Sequence, residues 1–246
     1  MNVVPHLREG LKTLLGVRLN GDVSERFCDL GLRPPVGARR RVRMNLFQDH
    51  GVLFIHVPKT AGMAVSQALY GLQVQHASIR YYQTVAPRLA RAATSFAVVR
   101  DPIERFLSAY AYARAGGSTE NRVSDPFRDT YQAFRDVDEA LDHLEEAQWP
   151  YGVDHIFRPQ AWYLTDRTGK LAVDHLVDLR GLDDALAWLA PWSGGLPTLN
   201  CSRAPKPFLS ARQEWRIRYL YADDMDLMRR ARADAERRSN QPIEPT

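Results

Sequence analysis

The sequence predicts one α/β domain, and three observations carry that expectation. Two segments, Val52–Gly62 and Phe96–Tyr110, each run from a short apolar stretch through a turn with one fixed cation into a helix-like pattern. The chain has 246 residues, which suits a single domain with a sizeable core. Its hydrophobic content of 45% and charged content of 25% are ordinary for a globular protein.

Met1–His50 reads as a lead-in to a single domain spanning 51–246, with a short helix near Leu7–Leu15 and a basic run at Arg39–Arg43. That run reads as a solvated strand or loop, with a grip on a polyanion as the alternative. Val52–Val57 is apolar and partly β-branched, hence a buried strand that Pro58 stops. Ala64–Tyr70 is helical in pattern and Gly71 is its C-terminal stop. Ser95–Val99 is a second strand, ending at Arg100. Asp101-Pro102 then starts a helix, with an acceptor at the N-cap and proline at the first helical position. This helix is expected to run to about Ala115, where Gly116-Gly117 ends it. Gly116–Pro126 reads as a loop and Phe127–Ala147 as helix, together a helical insertion near 116–160. Gln160–Leu164 reads as a helical turn, Leu171–Leu179 as a third strand and Leu182–Leu189 as a helix. Pro191–Pro207 is expected to be a long loop and Ala211–Arg238 a helix with a solvent-exposed basic face.

A strand feeding a small-residue turn into a helix N-terminus aims backbone N–H groups at one point, which the helix dipole makes attractive to an anion. Lys59 adds a positive charge there and Thr60 a hydroxyl donor. In the second segment Arg100 supplies a fork of donors, and Ser108, two turns into the helix, one more. Two such cradles match a nucleotide with phosphates at two separate positions. Either turn alone is also what a surface strand-to-helix connection with an incidental cation looks like. No glycines precede Lys59 in the Walker A spacing, which counts against an ATPase, a GTPase or a P-loop kinase.

Lys59 through Gly62 after an apolar strand, with Arg100-Asp101-Pro102 and Ser108 downstream, resembles the sulfotransferases that use 3′-phosphoadenosine-5′-phosphosulfate (PAPS). The nearest branch is similar to the carbohydrate (type 2) sulfotransferases, whose first motif reads I-P-K-T-A-G-T-S. The likeness extends more weakly to His155–Gln160 and Leu199–Arg203, so it covers roughly Val52 to Asp224. The resemblance implies the sulfotransferase fold, a P-loop-like parallel sheet flanked by helices. It implies that Pro58, Lys59, Thr60, Ala61, Gly62 and Met63 hold the 5′-phosphosulfate and that Arg100 and Ser108 hold the 3′-phosphate. Ser202 and Arg203 are placed in a loop closing over the adenosine end. Where relatives usually carry Thr or Ser after the glycine this chain has Met63, which removes one hydroxyl donor, about 0.5–1.5 kcal/mol of hydrogen bonding.

Sulfuryl transfer needs a cation on the leaving phosphate, for which Lys59 is the first choice, and a base for the acceptor hydroxyl, for which histidine is best matched to neutral pH. Of the seven histidines, His76 is taken as the base, by analogy with a histidine in this region of related enzymes. His155 is the alternative base and, with Arg158 and Gln160, a contact for the acceptor, while His56 reads as a core residue beside the loop. The acceptor is expected to be a carbohydrate, possibly a polysaccharide. A small alcohol or phenol, or a non-catalytic role in binding PAPS or a related nucleotide, stay open.

Lys plus Arg number 33 against 29 Asp plus Glu, a net +4, with a sequence pI near 9.2. That excess suits anionic partners without indicating nucleic acid. Cys28 and Cys201 are the only cysteines, so neither a disulfide framework nor a zinc site is indicated, and no metal is expected. Pro5, His6, Arg8, Glu9 and Lys12 interrupt the N-terminal stretch, so no membrane span is expected. Against membrane-anchored Golgi relatives, the resemblance then implies a soluble, bacterial, cytoplasmic form.

Overall fold

A parallel sheet buries both of its faces, so its strands must be apolar throughout rather than alternating. The computed structural model, which describes residues 3–118, 121–189 and 207–239, shows three such strands: β1 (Val52–Phe54), β2 (Thr94–Val99) and β3 (His175–Asp178). They pair in parallel in the order β1-β2-β3, with Val52 opposite Thr94 and Phe96 opposite His175. All of β1 is buried, as is β2 beyond Thr94. β1 and β3 are shorter than the apolar runs that predict them, Val52–Val57 and Leu171–Leu179, whereas β2 begins one residue before its expected start at Ser95. Ile55 nevertheless still donates to the Phe96 carbonyl (2.8 Å), so the chain stays extended past β1 toward Pro58.

Thirteen α-helices surround the sheet among the described residues. Before β1 come α1 (Val3–Leu15), α2 (Asp22–Asp29) and α3 (Ala38–His50). Between β1 and β2 lie α4 (Gly62–Tyr70), α5 (Ile79–Val85) and α6 (Pro87–Ala92). Between β2 and β3 lie α7 (Pro102–Arg114), α8 (Asp125–Gln132), α9 (Val137–Glu146) and α10 (Gln160–Leu164). After β3 follow α11 (Leu182–Leu189), α12 (Ala211–Leu220) and α13 (Ala222–Ser239). The main core gathers the three strands with Phe47 of α3, Val65 and Tyr70 of α4, and Leu227, Met228 and Ala231 of α13. A second core, built on Phe106, Phe127, Tyr131, Leu141, Phe157 and Ile217, joins α7, α8, α9 and α12.

Three expectations are corrected here. Residues 22–50 are not a lead-in: Cys28 and Phe47 sit in the main core, and α2 sends three carboxylates inward, Asp22 to Arg158, Glu25 to Ser78 and Asp29 to Arg80. The Arg39–Arg43 run is neither strand nor loop but the first turns of α3, where Arg40 donates to Ser24 and Tyr81. The helices foreseen at Phe127–Ala147 and Ala211–Arg238 are each two helices. Asp136 breaks the first by capping α9 at the Glu139 N–H. The second breaks at Tyr221, whose buried hydroxyl donates to the Phe157 carbonyl (2.8 Å). The 116–160 insertion packs its own core against α7 and α12. Nearly all of the loop expected at Pro191–Pro207 lies outside the described residues.

Candidate active site

The first cradle follows directly from β1. Lys59 (φ 69°) and Ala61 (φ 61°) both take the left-handed conformation, which costs an L-residue about 1–2 kcal/mol. Turns of this kind gather successive N–H groups into an anion-binding concavity. Ala61 is the N-cap of α4 and no side chain caps that helix, so its positive dipole end faces the same turn. The Lys59 ammonium rests 4.2 Å from the ring centroid of Tyr112 on α7. Burial first, and the Arg100 charge second, push its pKa down to about 8. A desolvated cation whose charged neighbour is a second cation is a place for an anion to bind.

The glycine of this turn is demanded by a histidine. A Cβ on Gly62 would lie 1.9 Å from Cδ2 of His56, whose ring is buried and fixed by Nδ1 on the Val74 carbonyl (2.7 Å). Gly62→Ala is expected to lower stability by about 1–3 kcal/mol, the usual cost of overpacking. Urea unfolding measures this, and an unchanged midpoint would remove His56 from beneath the loop.

Arg100 stands at the end of β2, where Asp101 caps α7 by accepting from the N–H groups of Ile103 and Glu104 (3.0 and 3.2 Å). Gln160 clamps its backbone: Arg100 N donates to Oε1 (2.9 Å) and Nε2 donates to the Arg100 carbonyl (2.8 Å). The guanidinium reaches back to the first cradle, with Nη1 3.4 Å from the Lys59 carbonyl. Its buried Nε makes no hydrogen bond and lies 3.5 Å from a Glu104 carboxylate oxygen. Glu104, Ser108 and Tyr112 follow at four-residue intervals and share one stripe of α7. The stripe meets Arg100 at Glu104 and Lys59 at Tyr112, and half-buried Ser108 stands between. One helix face thus joins the two cradles.

Histidines continue the site. His56, against Gly62, packs its ring on His76 (ring centroids 4.0 Å, planes inclined 52°), and His76 packs on His155 (4.9 Å, 33°). His76 Nδ1 is 3.0 Å from the His56 carbonyl, and His155 Nδ1 is 2.7 Å from Oδ1 of Asp154. Burial lowers the His56 pKa to about 4, and burial with the neighbouring His56 and His155 holds His76 well below the usual range. His76 and His155 open onto a cleft of about 750 Å³, which Arg18, Arg40 and Arg43 also line. Among the described residues, no group of three His, Cys, Asp or Glu side chains could hold a metal ion.

Several expected site residues have other work. The Thr60 hydroxyl is fully buried and donates inward to the Val57 carbonyl (2.9 Å), so Thr60 fastens the turn and offers an anion only its backbone. Arg158 is buried against Asp22, with Nη1 and Nη2 at 2.7 and 2.5 Å from the two carboxylate oxygens, and Nε donates to the Pro150 carbonyl. That pairing consumes the fork assigned to the acceptor. Gln160 has both ends of its side chain on Arg100 and does not face the cleft. The Met63 sulfur lies 3.9 Å from the Asn121 amide nitrogen. Pro58 and Ala61 lie in the turn as expected, and Ser202 and Arg203 lie outside the described residues. Sequence reasoning missed Tyr112, whose four-residue spacing from Ser108 was the available signal, and Asp154, which adjoins a histidine already singled out.

Residues 42–170, more than half of the chain, match the family described as "Sulfotransferase family". The matched stretch contains both cradles and all three histidines in ring contact. No curated protein and no solved structure matches the chain.

Proposed function

From a chain that belongs to the sulfotransferase family, we propose an enzyme that moves the sulfuryl group of PAPS to a hydroxyl of a carbohydrate acceptor, with a histidine taking the hydroxyl proton. Sulfuryl transfer is the chemistry of the family; donor, acceptor and base are the reading argued from the site. The observation that carries it is the junction of two cationic cradles on one face of α7, Lys59 through Tyr112 and Arg100 through Glu104. A donor with a 5′-phosphosulfate and a 3′-phosphate fits that pair better than a nucleotide with one phosphate chain. Bound there, PAPS would supply an activated sulfuryl group with a phosphate as leaving group. Lys59 and the α4 N-terminus neutralise the leaving phosphate, while Arg100, braced by Gln160, fixes the other end. One of the histidines lining the cleft takes the proton, and the cleft has room for a sugar.

The test is a thermal-shift titration with PAP, the desulfated product, beside ADP and ATP–Mg²⁺. A ligand of the native state stabilises it by about 2.7 kcal/mol at a hundredfold excess over its Kd. A shift with PAP well above that with ADP is expected. A shift with ATP–Mg²⁺ alone would replace this reading with a kinase.

A further inference from the structure

Among the described residues, two histidines reach the cleft, and one of them has a carboxylate on its ring. His76 turns Nδ1 to a backbone carbonyl, whereas His155 turns Nδ1 to Asp154. Asp154 is fully buried and held from several sides. Its Oδ1 accepts from the Ile156 N–H (3.1 Å), its Oδ2 faces the Ser124 N–H (3.3 Å), and its own N–H donates to the Tyr131 hydroxyl (2.9 Å). The Tyr163 hydroxyl donates to the His155 carbonyl (3.0 Å), so both residues of the pair are fastened. In each histidine, Nδ1 carries the proton toward its acceptor, and Nε2 is left as the basic nitrogen.

We propose that His155 is the histidine that accepts the acceptor-hydroxyl proton and that Asp154 is its positioning carboxylate, leaving His76 as a neutral neighbour. This rests on the sulfuryl-transfer reading above. As the acceptor oxygen bonds to sulfur, the bond from sulfur to the 5′-phosphate breaks. The electron pair leaves on that phosphate beside Lys59, and the hydroxyl proton goes to Nε2 of His155.

The charge balance around the two rings supports this choice. A cation on His76 would stand between His56 and His155, near the Arg158 guanidinium, with no carboxylate on its ring among the described residues. A cation on His155 faces the same His76, but Asp154 lies 2.7 Å away. Arg158 is already matched to Asp22, and the Tyr112, Tyr131 and Tyr163 hydroxyls near Asp154 stay neutral because burial raises their pKa values. Burial pushes the Asp154 carboxyl up, but His155 and the bonds from Ser124 and Ile156 outweigh it and hold it below the usual carboxylate range.

The deciding experiment is NMR of the histidine ring N–H signals in the ligand-free protein, wild type and Asp154→Asn. His155 should show a strongly deshielded, slowly exchanging Nδ1–H proton, the mark of a hydrogen bond to a carboxylate, and Asp154→Asn should move it upfield. A His155 ring that carries its proton on Nε2 instead, or an Nδ1–H signal that Asp154→Asn leaves unmoved, overturns the proposal. With PAPS and an acceptor drawn from a panel of neutral and uronate-bearing oligosaccharides, Asp154→Asn and His155→Gln should each lower kcat about a hundredfold. PAP binding and acceptor KM should stay near wild type, and Asp154→Glu should recover part of kcat. Full turnover in His155→Gln with none in His76→Gln would return the base to His76. Failure of wild type to bind PAP would sink the functional reading instead, and the Nδ1–H signal would still judge the pair.

Discussion

Lys59→Ala is expected to lower kcat by about 10²–10³-fold, the usual cost of removing one donor from the site where charge develops. The fold should survive, because the Lys59 ammonium makes its contact with an aromatic face and is not one of the buried ion pairs. Arg100→Ala should act chiefly on binding, to which Lys59 also contributes. It removes a charged fork worth about 1.5–3 kcal/mol per hydrogen bond, a rise in the PAP Kd of roughly ten- to a hundredfold. Calorimetric titration with PAP separates the two variants, and wild-type binding by both would refute the two-cradle assignment. Lys59 also sets a pH dependence. Its pKa is depressed to about 8 in the ligand-free fold, so the unfolded chain binds more protons from there to its ordinary value, and stability rises with pH across that window. Binding has the opposite sign: a dianion wants the ammonium form, so PAP affinity is full below about pH 8 and falls above it. Lys59→Arg should flatten that fall, because a guanidinium stays charged.

Both cradles were legible because each is local. An apolar run, Pro58 and small residues specify the first turn, and Asp101-Pro102 specifies the start of α7 within four residues. What sequence could not show is where a polar side chain goes once the chain is folded. Thr60, Arg158 and Gln160 are the residue types a ligand site uses, and each is instead committed inward to Val57, Asp22 and Arg100. The reach of Arg158 is 136 residues along the chain and that of Gln160 is 60, and no periodicity encodes either pairing. The helix breaks at Asp136 and Tyr221 failed for different reasons. Asp136 capping Glu139 is a local signal in the sequence, whereas Tyr221 is set by the buried Phe157 carbonyl. The histidine file was half visible: His56, His76 and His155 were each singled out, but their ring contacts need distant parts of the chain to meet.

The pair that ties the N-terminal helices to the site should show the largest effect on stability. Arg158 and Asp22 have side chains only 2% and 5% exposed, so removing one partner strands a charge in the interior. Asp22→Ala is therefore expected to cost about 3–5 kcal/mol, while Asp22→Leu with Arg158→Met, which buries no charge at all, should recover most of it. Urea unfolding of the two singles and the double measures the coupling, and a loss below 1 kcal/mol in Asp22→Ala would mean that α2 is not docked through this pair. Arg158 also precedes Pro159 and Gln160, so the pair anchors the segment whose next side chain clamps Arg100. Loosening it should weaken PAP binding as well as the fold, although Asp22 lies outside the matched residues 42–170. The double variant separates the two consequences. If it regains both stability and PAP affinity, packing at this position is what holds the second cradle in place. If it regains stability alone, the fixed direction of the Arg158–Asp22 fork is what aims Gln160 at Arg100.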